Sequence, residues 1–199
     1  MSTICLISDL TGALSDKAFS AYLFEKLKPE TKIAFVPTSP KGQDTKSYAE
    51  EIVAALQALG KTFEEVHIFD WEATDQEVTR ILESRPVVFL MGGNPKRQNA
   101  YLQRLPFQSH LQGYSGMVIG MSAGALNSCP QIEFTKENPR LVLAGLNLHP
   151  YYVDVHYQNP RYEEEGYNLN RPHYKLCDTG ALTIENKKLL IFGDVYHVT

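Results

Sequence analysis

Along residues 1–125, short apolar runs alternate with longer segments of helical period. The runs Thr3–Ile7, Lys32–Val36, Val66–Phe69, Val87–Met91 and Met117–Ile119 are rich in β-branched residues and too short for buried helices, so they predict strands. Between them, Asp16–Lys28, Thr45–Gly60, Thr74–Ser84 and Lys96–Leu105 repeat apolar residues at helical spacing. In the second segment Ile52, Leu56 and Leu59 fall on one helix face, and Gly60 stands at the expected C-terminal stop. A helix between successive strands returns the chain to the same end of the sheet, which makes the strands parallel and covers both faces. The predicted fold class is α/β, a mostly parallel sheet with helices on both faces.

The pattern changes after Leu126. Residues 147–175 are rich in aromatics and charges without a clean period, which predicts a loop-rich insertion over one edge of the sheet. Apolar runs return at Leu182–Ile184, Leu189–Phe192 and Val195–Val198, separated by Glu185-Asn186-Lys187-Lys188 and by Gly193-Asp194. Both breaks resemble turns between antiparallel strands. No internal repeat, low-complexity segment or linker divides the 199 residues, so 1–199 reads as a single domain.

Composition narrows the partners. Apolar residues at 43% and charged residues at 21% suit an ordinary globular chain. A net charge of -4, with no basic run interleaved with aromatics, argues against a nucleic-acid partner. The start MSTICLISDLTG has no basic segment, and no apolar run approaches the roughly 18 residues of a membrane span. A cytoplasmic protein without membrane contact is expected. Cys5, Cys129 and Cys177 are odd in number and lack CxxC spacing, which fits reduced core thiols and neither a disulfide frame nor a zinc site. No metal and no cofactor is expected.

The candidate chemistry centres on Gly120-Met121-Ser122-Ala123-Gly124, a G-x-S-x-G stretch between an apolar strand and a helix-forming run. In that setting a sharp strand-to-helix turn strains the serine and exposes it, and side chains at 120 and 124 would collide. In a parallel sheet this turn lies beyond the carboxyl ends of the strands, where ligands sit. Ser122 is therefore a candidate nucleophile, although a helix cap or a packing turn would place a serine there too. Met91-Gly92-Gly93-Asn94 ends the neighbouring strand. The N–H groups of Gly93 and Ala123 are candidates for an oxyanion hole, set against a simple glycine turn before Pro95.

A serine needs a base, usually histidine oriented by a carboxylate. His67 in a strand, His110 in a polar loop and His197 on the last strand read as structural or solvated. That leaves His149, His156 and His173, with His156 at the end of the alternating stretch Tyr152–Tyr157. Asp178 follows an apolar run and precedes a turn, while Asp154, Glu185 and Asp194 stay open as the acid.

Four stretches in order carry a resemblance: Gly92-Gly93-Asn94, Gly120-Met121-Ser122-Ala123-Gly124-Ala125, Asp154-Val155-His156-Tyr157 and Cys177-Asp178-Thr179-Gly180-Ala181-Leu182. On these the chain resembles the peptidase E and cyanophycinase group of serine peptidases, family S51, and looks like a short relative of the aspartyl dipeptidases. The resemblance implies a class I glutamine amidotransferase-like sheet with serine in place of the cysteine nucleophile. It implies Ser122 as nucleophile and His156 as base, with Asp178 where peptidase E has glutamate. Pro95-Lys96-Arg97 stands where the family's Gly-Gly-Asn is usually followed by threonine. The implied substrate is a short peptide with an acidic residue, for which Asn94, Arg97, Arg161 and Arg171 are the candidate binding residues. A homodimer is compatible with this reading. Two rivals remain: an α/β-hydrolase-like esterase, pairing Asp154 with His173 or Asp178 with His197, and a binding protein that keeps the elbow without catalysis.

Overall fold

The computed structural model describes residues 3–28, 31–39, 43–84, 86–134, 139–158 and 172–198. In chain order the strands are β1 (Thr3–Ile7), β2 (Thr31–Val36), β3 (Phe63–Ile68), β4 (Val87–Leu90), β5 (Met117–Met121), β6 (Gln131–Phe134), β7 (Leu141–Ala144), β8 (Tyr152–Asp154), β9 (His173–Leu176), β10 (Ala181–Glu185), β11 (Lys188–Phe192) and β12 (Val195–Val198). The helices are α1 (Leu10–Ser15), α2 (Lys17–Lys26), α3 (Gln43–Gln57), α4 (Asp75–Glu83), α5 (Pro95–Arg104), α6 (Phe107–Leu111) and α7 (Ala123–Ser128).

The main sheet has the order β11-β10-β1-β5-β4-β2-β3. Its five strands from the first part of the chain are parallel, and the hairpin β10–β11 adds antiparallel strands at the β1 edge. Alternation along the strands divides the core in two. Ile33, Phe35 and Phe89 face a layer that includes Phe19 and Leu23 of α2 and Ile52 and Leu56 of α3. Ala34, Val36, Val88 and Leu90 face Val78 and Leu82 of α4, Tyr101 of α5 and Phe107 of α6. Both faces are covered, as the near-continuous apolar strands require.

Helix ends follow local chemistry. Asp16 caps α2 through Phe19 N–H, and Thr74 caps α4 through Glu77 N–H. Asn94 caps α5, with Pro95 in its first turn, where the missing N–H costs nothing.

The last third departs from the sequence expectation in two ways. The aromatic segment contributes β8 and β9, which pair in parallel in a separate three-stranded sheet. Residues 159–171 of that segment lie outside the described residues. The turn at Glu185–Lys188 joins β10 to β11 as predicted, but Gly193-Asp194 is not a hairpin turn within one sheet. There the chain leaves the main sheet, and β12 pairs antiparallel with β9. Alternation marks a strand without naming its partner.

Candidate active site

Ser122 stands between the fully buried β5 and the first residue of α7, with φ 50° and ψ −109°. A non-glycine residue there costs on the order of 1–3 kcal/mol and persists only where its surroundings enforce it. They do so here. Ser122 N–H donates to Ile7 O of β1 at 2.9 Å, and Ser122 O accepts from Leu126 N–H at 3.1 Å. The side chain makes no capping bond to α7, so it is not serving as a helix cap. The flanking glycines are required by close approach: a Cβ on Gly120 would lie 2.9 Å from the Gly124 carbonyl carbon, and one on Gly124 would strike the Leu90 carbonyl oxygen.

The Ser122 hydroxyl lies 2.9 Å from His156 Nε2, and His156 Nδ1 lies 2.6 Å from Asp178 Oδ1. A carboxylate can only accept, so Nδ1 carries the proton and Nε2 presents its lone pair to the serine O–H. Three stretches converge on this row: the β5–α7 turn, the end of β8 and the loop after β9. The imidazole and the carboxylate are about half exposed, with side-chain exposures of 48% and 52%.

The other histidines have different partners. His67 faces Glu77 at 3.3 Å, His110 lies 3.0 Å from Thr79 Oγ1, and His197 stacks on Tyr174. His110 belongs to α6 and not to the expected polar loop. His173 pairs with Asp154 at 3.2 Å inside the small sheet, and Asp178 serves His156 and not His197. The chain order is therefore serine, histidine, acid, whereas the α/β-hydrolase alternative needs the acid before the histidine.

His149 is buried against Ser128. The Ser128 hydroxyl donates to Ala125 O, so His149 Nε2–H must donate to Ser128 Oγ at 2.9 Å, while Nδ1 accepts from Tyr151 N–H. Burial pushes its pKa down from 6.5 to about 4. The unfolded chain thus takes up this proton first. The stabilisation is intact above pH 6.5 and drains away as pH falls to about 4, by about 3 kcal/mol in all. In His149→Gln, urea midpoints at pH 7 and pH 5 should differ less than in the wild type; an unchanged difference would assign the acid sensitivity elsewhere.

Gly93 follows β4 with φ +127°, exposed beside the elbow, and a Cβ there would strike the Thr38 side chain. Ala123 opens α7, so its N–H is among those a helix leaves without an intrahelical partner. The two loops are tied together by buried amides. Gln98 Nε2 donates to Met91 O at 2.9 Å and to Val36 O at 3.1 Å. Asn127 Nδ2 shares its two hydrogens among Gln98 Oε1, Pro95 O and Ala123 O, at 3.1, 3.1 and 3.0 Å, and Asn99 Nδ2 donates to Asn127 Oδ1. Both Gln98 and Asn127 are fully buried, so the loop carrying Gly93 and the turn carrying Ser122 share one polar network.

Asn94 Oδ1 is taken by the α5 cap, with Lys96 N and Arg97 N as donors. Arg97 is exposed on the first turn of α5, and Arg161 and Arg171 lie outside the described residues. Burial raises the Cys5 and Cys129 thiols to about 12, which makes them poor nucleophiles. Among the described residues no group of histidine, cysteine and carboxylate side chains is placed to hold a metal ion, and no helix is long and apolar enough to cross a membrane.

The sequence signature of peptidase family S51 matches residues 6–196, a span that takes in the end of β1, the elbow, His156 and Asp178. The chain belongs to this family. An uncharacterized peptidase of Pasteurella multocida (strain Pm70) is 28% identical over 179 residues, covering 81% of this chain and 85% of the relative. Two crystal structures share the fold. A candidate peptidase E protein from Listeria monocytogenes EGD-e superposes with TM-score 0.71 at 20% identity, over 96% of this chain and 98% of that one. A peptidase from an acI-B1 actinobacterium gives TM-score 0.72 at 13% identity, over 100% of this chain and 94% of that one. S51 membership makes the chain a peptidase on an α/β, mostly parallel sheet. One residue in contact with this row escaped the sequence reading: Ser8, the first residue past β1, whose hydroxyl accepts from His156 N–H. Its only signal was its place at the carboxyl end of a predicted parallel strand.

Proposed function

We propose that this S51 peptidase is a cytoplasmic serine peptidase that hydrolyses short peptides, chiefly dipeptides with N-terminal aspartate. The observation that carries this reading is the unbroken row from Ser122 Oγ through His156 to Asp178 at a strained strand-to-helix turn. Ser122 Oγ attacks the scissile carbonyl while His156 Nε2 takes its proton. Asp178 holds the Nδ1–H tautomer and stabilises the imidazolium that forms. The N–H groups of Gly93 and Ala123 hold the tetrahedral oxyanion, where losing one donor typically costs about 10²- to 10³-fold. His156 then gives its proton to the leaving amine, and water hydrolyses the acyl-enzyme along the same path.

Specificity for aspartate rests on the resemblance to aspartyl dipeptidases and on the exposed Arg97 at the start of α5, close in sequence to Gly93. A guanidinium pairs with a carboxylate through two parallel hydrogen bonds. Arg97→Gln should raise KM for aspartyl dipeptides by about 10-fold or more, since a bond to a charged group contributes roughly 1.5–3 kcal/mol. KM for alanyl dipeptides should barely move; an equal loss for both would remove Arg97 from the pocket. The reading as a whole is tested by a dipeptide library followed by mass spectrometry, comparing wild type with Ser122→Ala. Turnover of no dipeptide at all, or equal turnover by both proteins, would refute it.

A further inference from the structure

His156 is a general base whose ring is half exposed, so packing alone does not hold it. Its backbone is also unusual, with φ 57° in the left-handed region, a conformation that costs a β-carbon residue on the order of 1 kcal/mol or more. Something must hold this residue in place.

The contacts identify Ser8. The residue is 1% exposed. The hydroxyl accepts from His156 N–H at 3.0 Å and donates to Leu176 O at 2.9 Å, so both of its roles are used. Leu176 O also accepts from Tyr157 N–H at 3.0 Å. The N–H groups of 156 and 157 are therefore held, one through Ser8 and one directly, on a single carbonyl two residues before Asp178. On its other side Ser8 adjoins Ile7, whose carbonyl receives Ser122 N–H.

We infer that Ser8 is a positioning residue for the reaction: its buried hydroxyl fixes the backbone of His156 against the strand that leads to Asp178 and the strand that braces Ser122. The inference rests on the serine-peptidase reading above. Without the hydroxyl, His156 N–H and one acceptor site of Leu176 lose their buried partner, and the left-handed turn loses a restraint. A ring displaced by about 1 Å loses alignment with Ser122 Oγ, a change that can cost about 10²-fold in rate with little effect on binding.

The test uses the full chain with a fluorophosphonate probe, read as the second-order rate of Ser122 labelling across pH 5–9, alongside kcat and KM on a cleaved dipeptide. The wild type should label at Ser122 and Ser122→Ala should not. Ser8→Ala should label about 10- to 100-fold more slowly across the pH range, with kcat down by the same factor and KM within about two-fold. Ser8→Cys, close in volume and a weaker hydrogen-bonding group, should fall between the two. Rates are normalised to the native fraction from circular dichroism, so that lost fold is not counted as lost positioning. If Ser8→Ala does not fold, Ser8→Cys alone decides, by a smaller, several-fold loss of kcat with KM unchanged. Wild-type rates in the folded Ser8 variants overturn the inference while leaving the serine reading intact. A wild type that is neither labelled nor active sinks the serine reading, and this inference with it.

Discussion

Ser122→Ala is expected to lower kcat for aspartyl dipeptides by about 10⁶-fold, the scale on which triad peptidases lose activity without their nucleophile. Among the described residues the hydroxyl has one partner, His156 Nε2, and it does not cap α7. Its removal should thus leave stability within about 0.5 kcal/mol, as for a substitution away from any packing or capping role. The strained φ and ψ persist because the backbone bonds to Ile7 and from Leu126 do not involve the side chain. A stopped-time hydrolysis assay and a urea titration on the same preparations separate the two effects. Retained turnover would place the nucleophile elsewhere; a large fall in the urea midpoint would mean the hydroxyl is structural.

Gly124→Ala should have the largest effect on stability of any single methyl added near the site. Its Cβ would meet the Leu90 carbonyl oxygen and lie 2.6 Å from Leu90 Cβ, and both partners belong to buried β4. No side chain can swing aside, so either α7 lifts or β4 moves. Overpacking a core typically costs 1–3 kcal/mol, and a backbone clash belongs at the upper end, about 3 kcal/mol. For a chain of this length that corresponds to a fall in Tm of about 10 °C. Moving either element also shifts Ser122 relative to Gly93, so the remaining folded protein should show a lowered kcat. Thermal unfolding by circular dichroism measures the first effect, and an unchanged Tm would show that the turn tolerates separation.

The sheet was legible because β1, β2, β4 and β5 are largely buried and carry plain apolar runs, with helical period between the runs, whereas the edge strand β3 exposes Glu64, Glu65 and Val66 and showed only its second half in the sequence. The predicted helix at Asp16–Lys28 appears as Lys17–Lys26, and that at Thr74–Ser84 as Asp75–Glu83, each trimmed by its capping residues. Short elements were not legible. Residues of α1 and α6 span too few turns to show a period, and β6 and β7 form a lone two-stranded ribbon with half-exposed residues. Within the site, the serine announced itself through its glycines, because close backbone approach restricts composition locally. Asp178 and Ser8 left no such mark. A carboxylate that accepts one hydrogen bond and a serine that makes two look like any others until the fold brings together residues far apart in sequence.

The loop that carries Asp178 is held by Asp194, whose carbonyl receives Cys177 N–H at 3.0 Å and whose carboxylate receives the Thr179 hydroxyl at 2.8 Å. This sets an order for biosynthesis. Ser122 leaves the ribosome first, then His156, then Asp178, and the residue that steadies the acid follows them all. A nascent chain can fold its parallel strands around the elbow as they emerge. The loop around Asp178 gains its two bonds from Asp194 only after every strand of the main sheet has been made, so the last strap to form on the site is also the last part of it to be synthesised.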